Sequence, residues 1–194
     1  MKRLLDLICS LFGLIILLPF FLIIGVWIFL DDYHSPFYQQ ERVGKDGKVF
    51  WLLKFRSMRV HSSQKVQLTV GKDPRITKVG HFIRKYKIDE LPQLINVLKG
   101  EMSLVGPRPE VVKYVNLYTE EQKIVLQVKP GITDYASLEF FEESDLLAQS
   151  NDPEKTYVEE ILPAKIQINL KYIPKANILE DVKIIFLTLK RIVS

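Results

Sequence analysis

Residues 4 to 30 read LLDLICSLFGLIILLPFFLIIGVWIFL, and Asp6 is the only charged residue among them. A helix of about 20 apolar residues crosses the hydrocarbon core of a bilayer, so this run is long enough to enter a membrane. It is too long for the apolar part of a typical signal peptide, and no small-residue cleavage site follows it. We therefore expect a membrane helix that the protein retains.

Pro19 lies near the middle of this run, where a proline frees a carbonyl group and bends the helix. The residues leave two paths open: a kinked helix that crosses the bilayer, or a re-entrant helix with both ends in the cytoplasm. Lys2 and Arg3 favour a cytoplasmic first end, and the chemistry of the later residues requires the same compartment. A re-entrant helix satisfies both conditions, because it leaves its first end and the rest of the chain in the cytoplasm.

The rest of the chain is long enough for one compact domain, so we predict a division into residues 1–31 and 32–194. A net charge of +4 suits a protein that rests on an anionic membrane surface and handles phosphorylated substrates. Nucleic acid is not an expected partner, because the aromatic residues form no RNA-binding strand motif. The single cysteine, Cys9, lies in the apolar run and excludes a disulfide framework.

Residues 37–40 and 49–55 are typical of short strands, and the turn at 44–47 would join them into a β-hairpin. Residues 60–70 are polar and lack a clear period, which predicts a mobile loop. Helical structure is expected to begin within residues 80–86.

The clearest helix is predicted over residues 89–99. Its apolar face follows the spacing i, i+3, i+4, i+7 and consists of Leu91, Leu94, Ile95 and Leu98. Asp89 would be the N-cap, Pro92 would lie in the first turn, where a helix needs no N–H, and Gly100 would end the helix.

Two more helices are predicted over residues 111–118 and 119–128, and a Lys-Pro-Gly turn at 129–131 ends the second. The last part of the chain has an apolar stripe at helical spacing, formed by Ile178, Leu179, Val182, Ile185, Phe186, Leu189 and Ile192. Such a stripe fits a core helix or an interfacial helix, and in a membrane protein we favour the interface.

Asp89 and Glu90 are adjacent carboxylates at the start of the predicted helix. Helix capping is a sufficient structural reason for both. A helix start also attracts phosphate, however, and the basic run 84–87 directly precedes this pair. In that setting one carboxylate could bind a metal ion and attack phosphorus.

Arg108 lies between Pro107 and Pro109, which present its guanidinium from a stiff backbone suited to bidentate phosphate binding. Lys54 and Arg56 alternate on a predicted strand and would point to one face. A rigid surface turn and a solvated strand face explain these patterns equally. Residues 73–77 fit either an ordinary turn or a loop that closes over a nucleotide.

Other chemistry has little support. The three histidines lack metal-ligand spacing, and neither a phosphate-binding glycine loop of the Walker type nor a nucleophile elbow is present.

Several strings in this chain occur together and in the same order in one protein family. They are FYQQERVG at 37–44, LKFRSM at 53–58, DPRIT at 73–77, IDELPQLINVLKG at 88–100, SLVGPRP at 103–109 and KPGIT at 129–133. With the proline-interrupted first segment, they make nearly the whole chain resemble the monotopic phosphoglycosyl transferases, the bacterial sugar transferase family.

The resemblance implies an α+β fold. A re-entrant membrane helix broken near Pro19 would precede a small cytoplasmic α/β catalytic domain with a short β-hairpin and interfacial amphipathic helices. It places the protein in the bacterial inner membrane, with the catalytic domain on the cytoplasmic face and in contact with the lipid bilayer.

The resemblance also implies a two-step, ping-pong transfer of a sugar-1-phosphate. Asp89 would attack the β-phosphorus of a UDP-sugar and release UMP, and polyprenyl phosphate, such as undecaprenyl phosphate, would then accept the group. Asp89 and Glu90 would also hold Mg²⁺. Phosphate binding is expected of the basic residues Lys54, Arg56, Arg75, Arg84 and Arg108.

After the KPGIT string many relatives continue with Gly and later an Ala-Gln-Val-Asn-Gly-Arg string, whereas this chain has DYASLEFF at 134–141. That difference leaves the sugar open, as the sequence leaves open the glycan pathway, the organism, the separate roles of Asp89 and Glu90, and whether the protein is a homodimer. Two other functions stay in view: a catalytically silent membrane scaffold, and a metal-dependent phosphohydrolase that uses water as the acceptor.

Overall fold

The computed structural model describes residues 2–60 and 68–194, and it confirms a mixed fold of helices and few strands. Helix α1 covers Lys2–Asp32 and continues past Pro19. By length and composition it could cross a membrane or dip into one. The break near Pro19, the re-entrant path and the boundary after residue 31 stay predictions.

Helix α1 packs one face against the rest of the protein. Asp6, Ser10, Ile24 and Ile28 are buried on that face, and a Cβ on Gly13 would lie 3.3 Å from a methyl group of Leu94. The opposite face is apolar and exposed, and includes Leu4, Ile8, Leu11, Phe12, Ile15, Ile16, Leu22, Ile23, Val26, Phe29 and Leu30. This exposure is what a lipid-facing surface requires.

Polar contacts fix the first turns of α1 to the domain. Arg3 donates to the carbonyl oxygens of Val97, at 2.6 Å, and Leu98, at 3.0 Å, at the end of a later helix. The buried carboxylate of Asp6 accepts hydrogen bonds from the hydroxyl of Ser103, at 2.9 Å, and the backbone N–H of Leu104, at 3.1 Å. Buried polar groups are stable when they are paired in this way.

The other end of α1 is fixed as well. The carboxylate of Asp32 accepts two hydrogen bonds from the guanidinium of Arg56, at 2.5 and 2.6 Å. Both ends of α1 therefore contact the same domain.

The predicted β-hairpin is confirmed. Strand β1 (Phe37–Val43) pairs antiparallel with β2 (Val49–Phe55), with Phe37 opposite Phe55 and Val43 opposite Val49. Strand β1 is three residues longer than predicted. The turn uses Asp46 and Gly47 in left-handed conformations, which suit a tight reversal of the chain.

The helix predicted over 89–99 is divided in the structure. A 3₁₀ turn covers Ile88–Glu90, and helix α3 covers Gln93–Lys99. Pro92 has no N–H for an α-helical bond to Ile88, and Leu91 instead donates to Ile88 in the 3₁₀ pattern. Asp89 is therefore inside the turn, and its assignment as an N-cap is wrong. Gly100 ends α3 as predicted, at φ +87°.

The neighbouring predictions are confirmed in part. Helix α2 covers Lys78–Lys85, so it begins before residue 80, where the hydroxyl of Thr77 accepts from the N–H of Gly80. Helix α4 is a single turn, Val112–Val115, and residues 119–128 contain a 3₁₀ helix, Gln122–Gln127. The loop predicted at 60–70 lies mostly outside the described residues.

A short parallel pair of strands was not predicted. Strand β3 (Ser103–Val105) pairs with β4 (Gly131–Thr133). Gly106 and Gly131 approach so closely that a Cβ on Gly131 would lie 2.1 Å from the backbone nitrogen of Gly106. Only glycine fits this contact, which joins the turns after β3 and before β4.

The last third of the chain is helical. Its elements are α5 (Tyr135–Glu139), α6 (Glu143–Ala148), α7 (Pro153–Thr156), a π-helical turn (Tyr157–Ile161), α8 (Leu162–Tyr172), a 3₁₀ turn (Ile173–Lys175) and α9 (Ile178–Val193). The predicted C-terminal helix is confirmed as α9, which buries Ile184 and exposes Leu179, Phe186 and Val193. Its contact with a lipid interface stays a prediction.

Candidate active site

Three segments of the chain meet at the carboxylate of Glu90. The 3₁₀ turn supplies Glu90, strand β2 supplies Lys54, and the loop after β3 supplies Arg108. Lys54 Nζ lies 3.3 Å from Glu90 Oε1. Arg108 donates two hydrogen bonds to Glu90, at 2.5 Å to Oε1 and 3.1 Å to Oε2. The structure thus brings together three residues that the sequence singled out as site candidates.

The charges of this cluster depend on each other. Burial would raise the pKa of Glu90, but the positive charges of Arg108 and Lys54 hold this pKa well below its usual range. The charge of Glu90 in turn raises the pKa of Arg108. Burial lowers the pKa of the Lys54 ammonium, and Glu90 opposes that effect. Glu90 is therefore an ionised carboxylate that holds two cations in place.

Asp89 differs from its neighbour. It is 6% exposed, and its Oδ1 atom is buried without a hydrogen-bond partner in the part of the chain that the structure describes. Burial raises the pKa of Asp89, and the adjacent negative charge of Glu90 raises it further. A buried carboxylate oxygen without a partner is costly, so this atom is the strongest indication of a ligand at the site.

Two more cations lie near Asp89. The positive charges of Lys54, Arg84 and Lys87 all lower the pKa of Asp89. Arg84 stands at the end of α2 and contacts the hydroxyls of Ser57 and Thr69, at 3.4 and 3.1 Å.

The sequence indicated Lys87 only as part of the basic run 84–87 and did not single it out as a site residue. It has a left-handed φ of +53°. With Arg108, four cations surround two carboxylates, which leaves positive charge for an anionic ligand.

Arg56 and Arg75 have other partners in the structure. Besides Asp32, Arg56 donates to the carbonyl oxygens of Ser35, at 2.7 Å, and His34, at 2.9 Å. Arg75 pairs with Asp73 at 2.5 Å. These contacts give both residues a structural role, and phosphate binding by them stays a prediction.

A magnesium ion fits the site through Asp89. Mg²⁺ is usually held by one or two carboxylates together with waters and substrate phosphates, so it does not need a full set of protein ligands. Within residues 2–60 and 68–194 there is no group of three carboxylate, histidine or cysteine ligands. The unpartnered Oδ1 of Asp89 can serve as one ligand, whereas both oxygens of Glu90 already accept from Lys54 and Arg108.

Asp134 supports the Arg108 loop, and the sequence did not single it out as a site residue. It is fully buried. One oxygen accepts from the backbone N–H of Arg108, at 3.1 Å, and the side-chain amide of Asn169, at 2.8 Å. The other accepts from the N–H of Ser137, at 2.6 Å, and caps α5. The sequence indicated it only through its position directly after the KPGIT string, where the resemblance to the family breaks off.

Gln93 was missed as well. Its side chain is 2% exposed, and its Nε2 is buried without a hydrogen-bond partner among the described residues. It lies four residues after Asp89, so a second group with unused hydrogen-bonding capacity belongs to the same segment of chain. The sequence indicated Gln93 only through its position four residues after Asp89, a catalytic candidate.

The whole chain, residues 1–194, matches the model of a family described as bacterial sugar transferase. A galactosyl transferase of Streptococcus agalactiae is 40% identical over 97% of this chain and 41% of its own length. The UDP-glucose:undecaprenyl-phosphate glucose-1-phosphate transferase of Escherichia coli is 37% identical over 97% of this chain and 39% of its own length.

A shorter relative is a putative undecaprenyl-phosphate N-acetylgalactosaminyl 1-phosphate transferase of Bacillus subtilis, 46% identical over 62% of this chain and 68% of that protein. The chain thus spans only about two fifths of the two longer relatives. The family match nevertheless covers all 194 residues, including the strings whose residues meet at Glu90. This chain belongs to the bacterial sugar transferase family.

Proposed function

We propose that this protein transfers a sugar-1-phosphate from a UDP-sugar to polyprenyl phosphate, such as undecaprenyl phosphate, and releases UMP. The observation that carries the proposal is the buried, unpartnered Oδ1 of Asp89 beside the cations that surround Glu90. The relatives are named for glucose, galactose and N-acetylgalactosamine transfer, so the sugar class is supported and the particular sugar is not chosen.

In the first step, Asp89 Oδ1 attacks the β-phosphorus of the UDP-sugar. A bond forms between the carboxylate oxygen and phosphorus, and the bond from phosphorus to the bridging oxygen of the diphosphate breaks. UMP leaves with that oxygen and its electron pair, and the phosphosugar remains on Asp89. Arg108, Lys54 and Arg84 are placed to stabilise the negative charge that develops on the phosphate oxygens.

In the second step, a phosphate oxygen of the polyprenyl phosphate attacks the same phosphorus. The bond between phosphorus and Asp89 breaks, which restores the carboxylate and gives a polyprenyl diphosphate sugar. One site can therefore serve two bulky substrates in turn. Glu90 holds Arg108 and Lys54 in position through both steps, because its two oxygens accept from these cations.

Magnesium belongs to the proposal as well. Asp89 would hold it together with the diphosphate oxygens, and a bound divalent cation would supply charge neutralisation for the leaving UMP. Lys54, Arg84 and Arg108 would add positive charge at the same phosphate oxygens.

The reaction is assigned to the cytoplasmic face of the bacterial inner membrane. Both ends of α1 contact the same domain, through Arg3 at one end and Asp32 at the other, while the outer face of α1 is apolar. A helix with both ends on one domain supports the re-entrant path, because it keeps the site at the membrane surface where the lipid acceptor is held.

The test measures UMP release from a panel of UDP-sugars with magnesium and undecaprenyl phosphate. Wild type is compared with Asp89→Asn and with Asp152→Asn, whose carboxylate caps an exposed helix at α7. We expect Asp89→Asn to lose at least ~10³-fold in turnover, because an amide is a poor nucleophile, and Asp152→Asn to keep wild-type turnover.

The lipid acceptor separates the alternatives. Without it, the covalent mechanism permits about one UMP per enzyme molecule and then stops. A phosphohydrolase would continue with water, and a silent scaffold would release none. Equal turnover of Asp89→Asn and wild type would disprove the covalent mechanism.

A further inference from the structure

A wide groove lies between α5, α8 and α9, outside the candidate active site. Its cavity volume is about 830 Å³. Five cations line it, namely Lys171, Lys175, Lys183, Lys190 and Arg191, together with the carboxylates Glu139 and Glu180. The groove is therefore positively charged.

Three of these cations are available to a ligand. Lys183 pairs with Glu180 at 3.6 Å, and Arg191 pairs with Glu142 at 3.2 Å. The remaining Lys171, Lys175 and Lys190 are exposed and form no ion pair within the described part of the chain. Even if Glu139 offsets one of them, positive charge is left over to meet an anion.

The groove runs beside an apolar surface of α9. We call this surface the α9 stripe, and it consists of Leu179, Val182, Phe186, Leu189 and Val193, all at least half exposed. Each of these residues directly precedes a residue of the groove wall: Glu180, Lys183, Leu187, Lys190 and Ser194. Successive residues of a helix point about 100° apart, so the α9 stripe and the groove are side by side along the whole helix.

The groove is also connected to the membrane helix. Lys2, in the first turn of α1, forms an ion pair with Asp181, in the first turn of α9. The first turns of α1 and α9 are thus joined. A cationic groove beside an apolar stripe, on a helix attached to α1, matches the two parts of a phospholipid, its charged headgroup and its acyl chains.

We propose that this groove binds the headgroup of an anionic membrane phospholipid. The charges of Lys171, Lys175 and Lys190 along the groove attract the phosphodiester, and the acyl chains lie against the α9 stripe. Lysine binds phosphate as a compact point charge, and lysines near an anionic leaflet attract its lipids. The inference rests on the membrane placement in the proposed function and not on its chemistry.

The first experiment measures which lipids stay bound to the full-length chain. The protein is placed in bilayers of equal amounts of phosphatidylglycerol and phosphatidylcholine, and the retained lipids are counted by native mass spectrometry. Wild type is compared with the triple variant Lys171→Gln, Lys175→Gln, Lys190→Gln. The control, Lys45→Gln, Lys48→Gln, Lys155→Gln, removes the same charge from exposed lysines elsewhere.

We expect wild type and the control to retain phosphatidylglycerol about tenfold over phosphatidylcholine, and the groove variant to lose this preference. Equal loss in both variants would indicate a general charge effect and overturn the proposal, as would an unchanged preference in the groove variant. UMP release is measured on the same samples. Retention of phosphatidylglycerol by a protein without transfer activity would disprove the proposed function alone.

A second measurement needs no substitution, so it does not depend on the folding of a variant. Lysine acetylation of wild type is compared in bilayers of phosphatidylglycerol and of phosphatidylcholine. Lys171, Lys175 and Lys190 should be protected severalfold only in phosphatidylglycerol, whereas Lys45, Lys48 and Lys155 should react equally in both. Equal reaction of the groove lysines in the two bilayers would overturn the proposal.

Discussion

Two arginine–carboxylate pairs in this protein have similar geometry and different surroundings. Arg56 pairs with Asp32 through bonds of 2.5 and 2.6 Å, and Arg108 pairs with Glu90 through bonds of 2.5 and 3.1 Å. Arg56 also donates to two backbone carbonyl groups and is 7% exposed, so its hydrogen-bonding capacity is used.

Arg108 is more open, with 29% of its side chain exposed. Beside its partner Glu90, Asp89 has an oxygen that accepts no hydrogen bond from residues 2–60 and 68–194. Unused capacity in a buried place indicates a ligand, whereas complete pairing indicates a structural role. On this comparison the Arg56 pair joins α1 to the domain, and we propose that the Arg108 cluster takes part in the transfer reaction.

The largest expected effect on stability is that of Arg56→Gln. Removing the guanidinium takes both of its hydrogen bonds from the carboxylate of Asp32 and the donor from two carbonyl groups, so we expect a loss of about 2–4 kcal/mol in the free energy of unfolding. Thermal unfolding in detergent measures it. Lys48→Gln, at an exposed position beside the hairpin turn, serves as a control. A loss of turnover at unchanged stability would instead make Arg56 a site residue.

For Arg108→Gln the larger effect is expected on turnover and the smaller one on stability. Turnover should fall about 10²–10³-fold, because a charged group that stabilises the transferring phosphate is lost. Stability should change less than for Arg56→Gln, since Glu90 keeps Lys54 as a partner. UMP release and thermal unfolding on the same sample check both statements. A fall in stability without a fall in turnover of the folded protein would contradict them.

Asp134→Asn tests whether the loop that carries Arg108 must be held in place for activity. Asn has one acceptor oxygen and an amide, so at least one of the three N–H donors around residue 134 loses its partner. We expect kcat/KM to fall about tenfold, mainly through KM, at temperatures well below unfolding. Asp152→Asn should leave both constants unchanged. Equal kcat/KM for Asp134→Asn and wild type would reduce Asp134 to the cap of α5.

The smallest expected effect is a gain in stability from Asp89→Asn. Burial and Glu90 raise the pKa of Asp89 in the folded protein, so ionised Asp89 disfavours folding. This penalty is absent below the unfolded pKa, near 3.9, grows as the pH rises from there towards the raised folded pKa, and is complete above it.

At neutral pH, Asp89→Asn should therefore raise the unfolding temperature by about 2–4 °C, and the gain should shrink in acid. Unfolding curves from pH 4 to pH 8 measure it. For Glu90 the sign is reversed, because its pKa is lowered: its contribution to stability is present above the unfolded pKa and lost in acid. A lower unfolding temperature for Asp89→Asn at pH 7.5 would contradict the inference that ionised Asp89 disfavours folding.

Much of the fold was predictable from local patterns. The apolar run of α1, the hairpin around residues 44–47 and the stripe of α9 have periods and turn residues that act over a few positions. The 3₁₀ turn at Ile88–Glu90 was not predicted, because the missing N–H of Pro92 was treated as harmless to an α-helix. The pairing of β3 with β4 was missed, because strands of three residues have too short a pattern to be recognised.

The sequence by itself determined the long apolar helix, the residue types available for chemistry and, through six ordered strings, the resemblance to the family. It could not decide between Asp89 as a cap and Asp89 as a nucleophile, nor between Arg56 and Arg108 as phosphate ligands. Only the tertiary structure showed that Asp89 is not a helix N-cap and that Arg56 and Arg108 have different partners, because burial and pairing depend on segments far apart in the chain: residues 54, 90 and 108 meet, and Asp89 is left with an oxygen that accepts no hydrogen bond from the described residues.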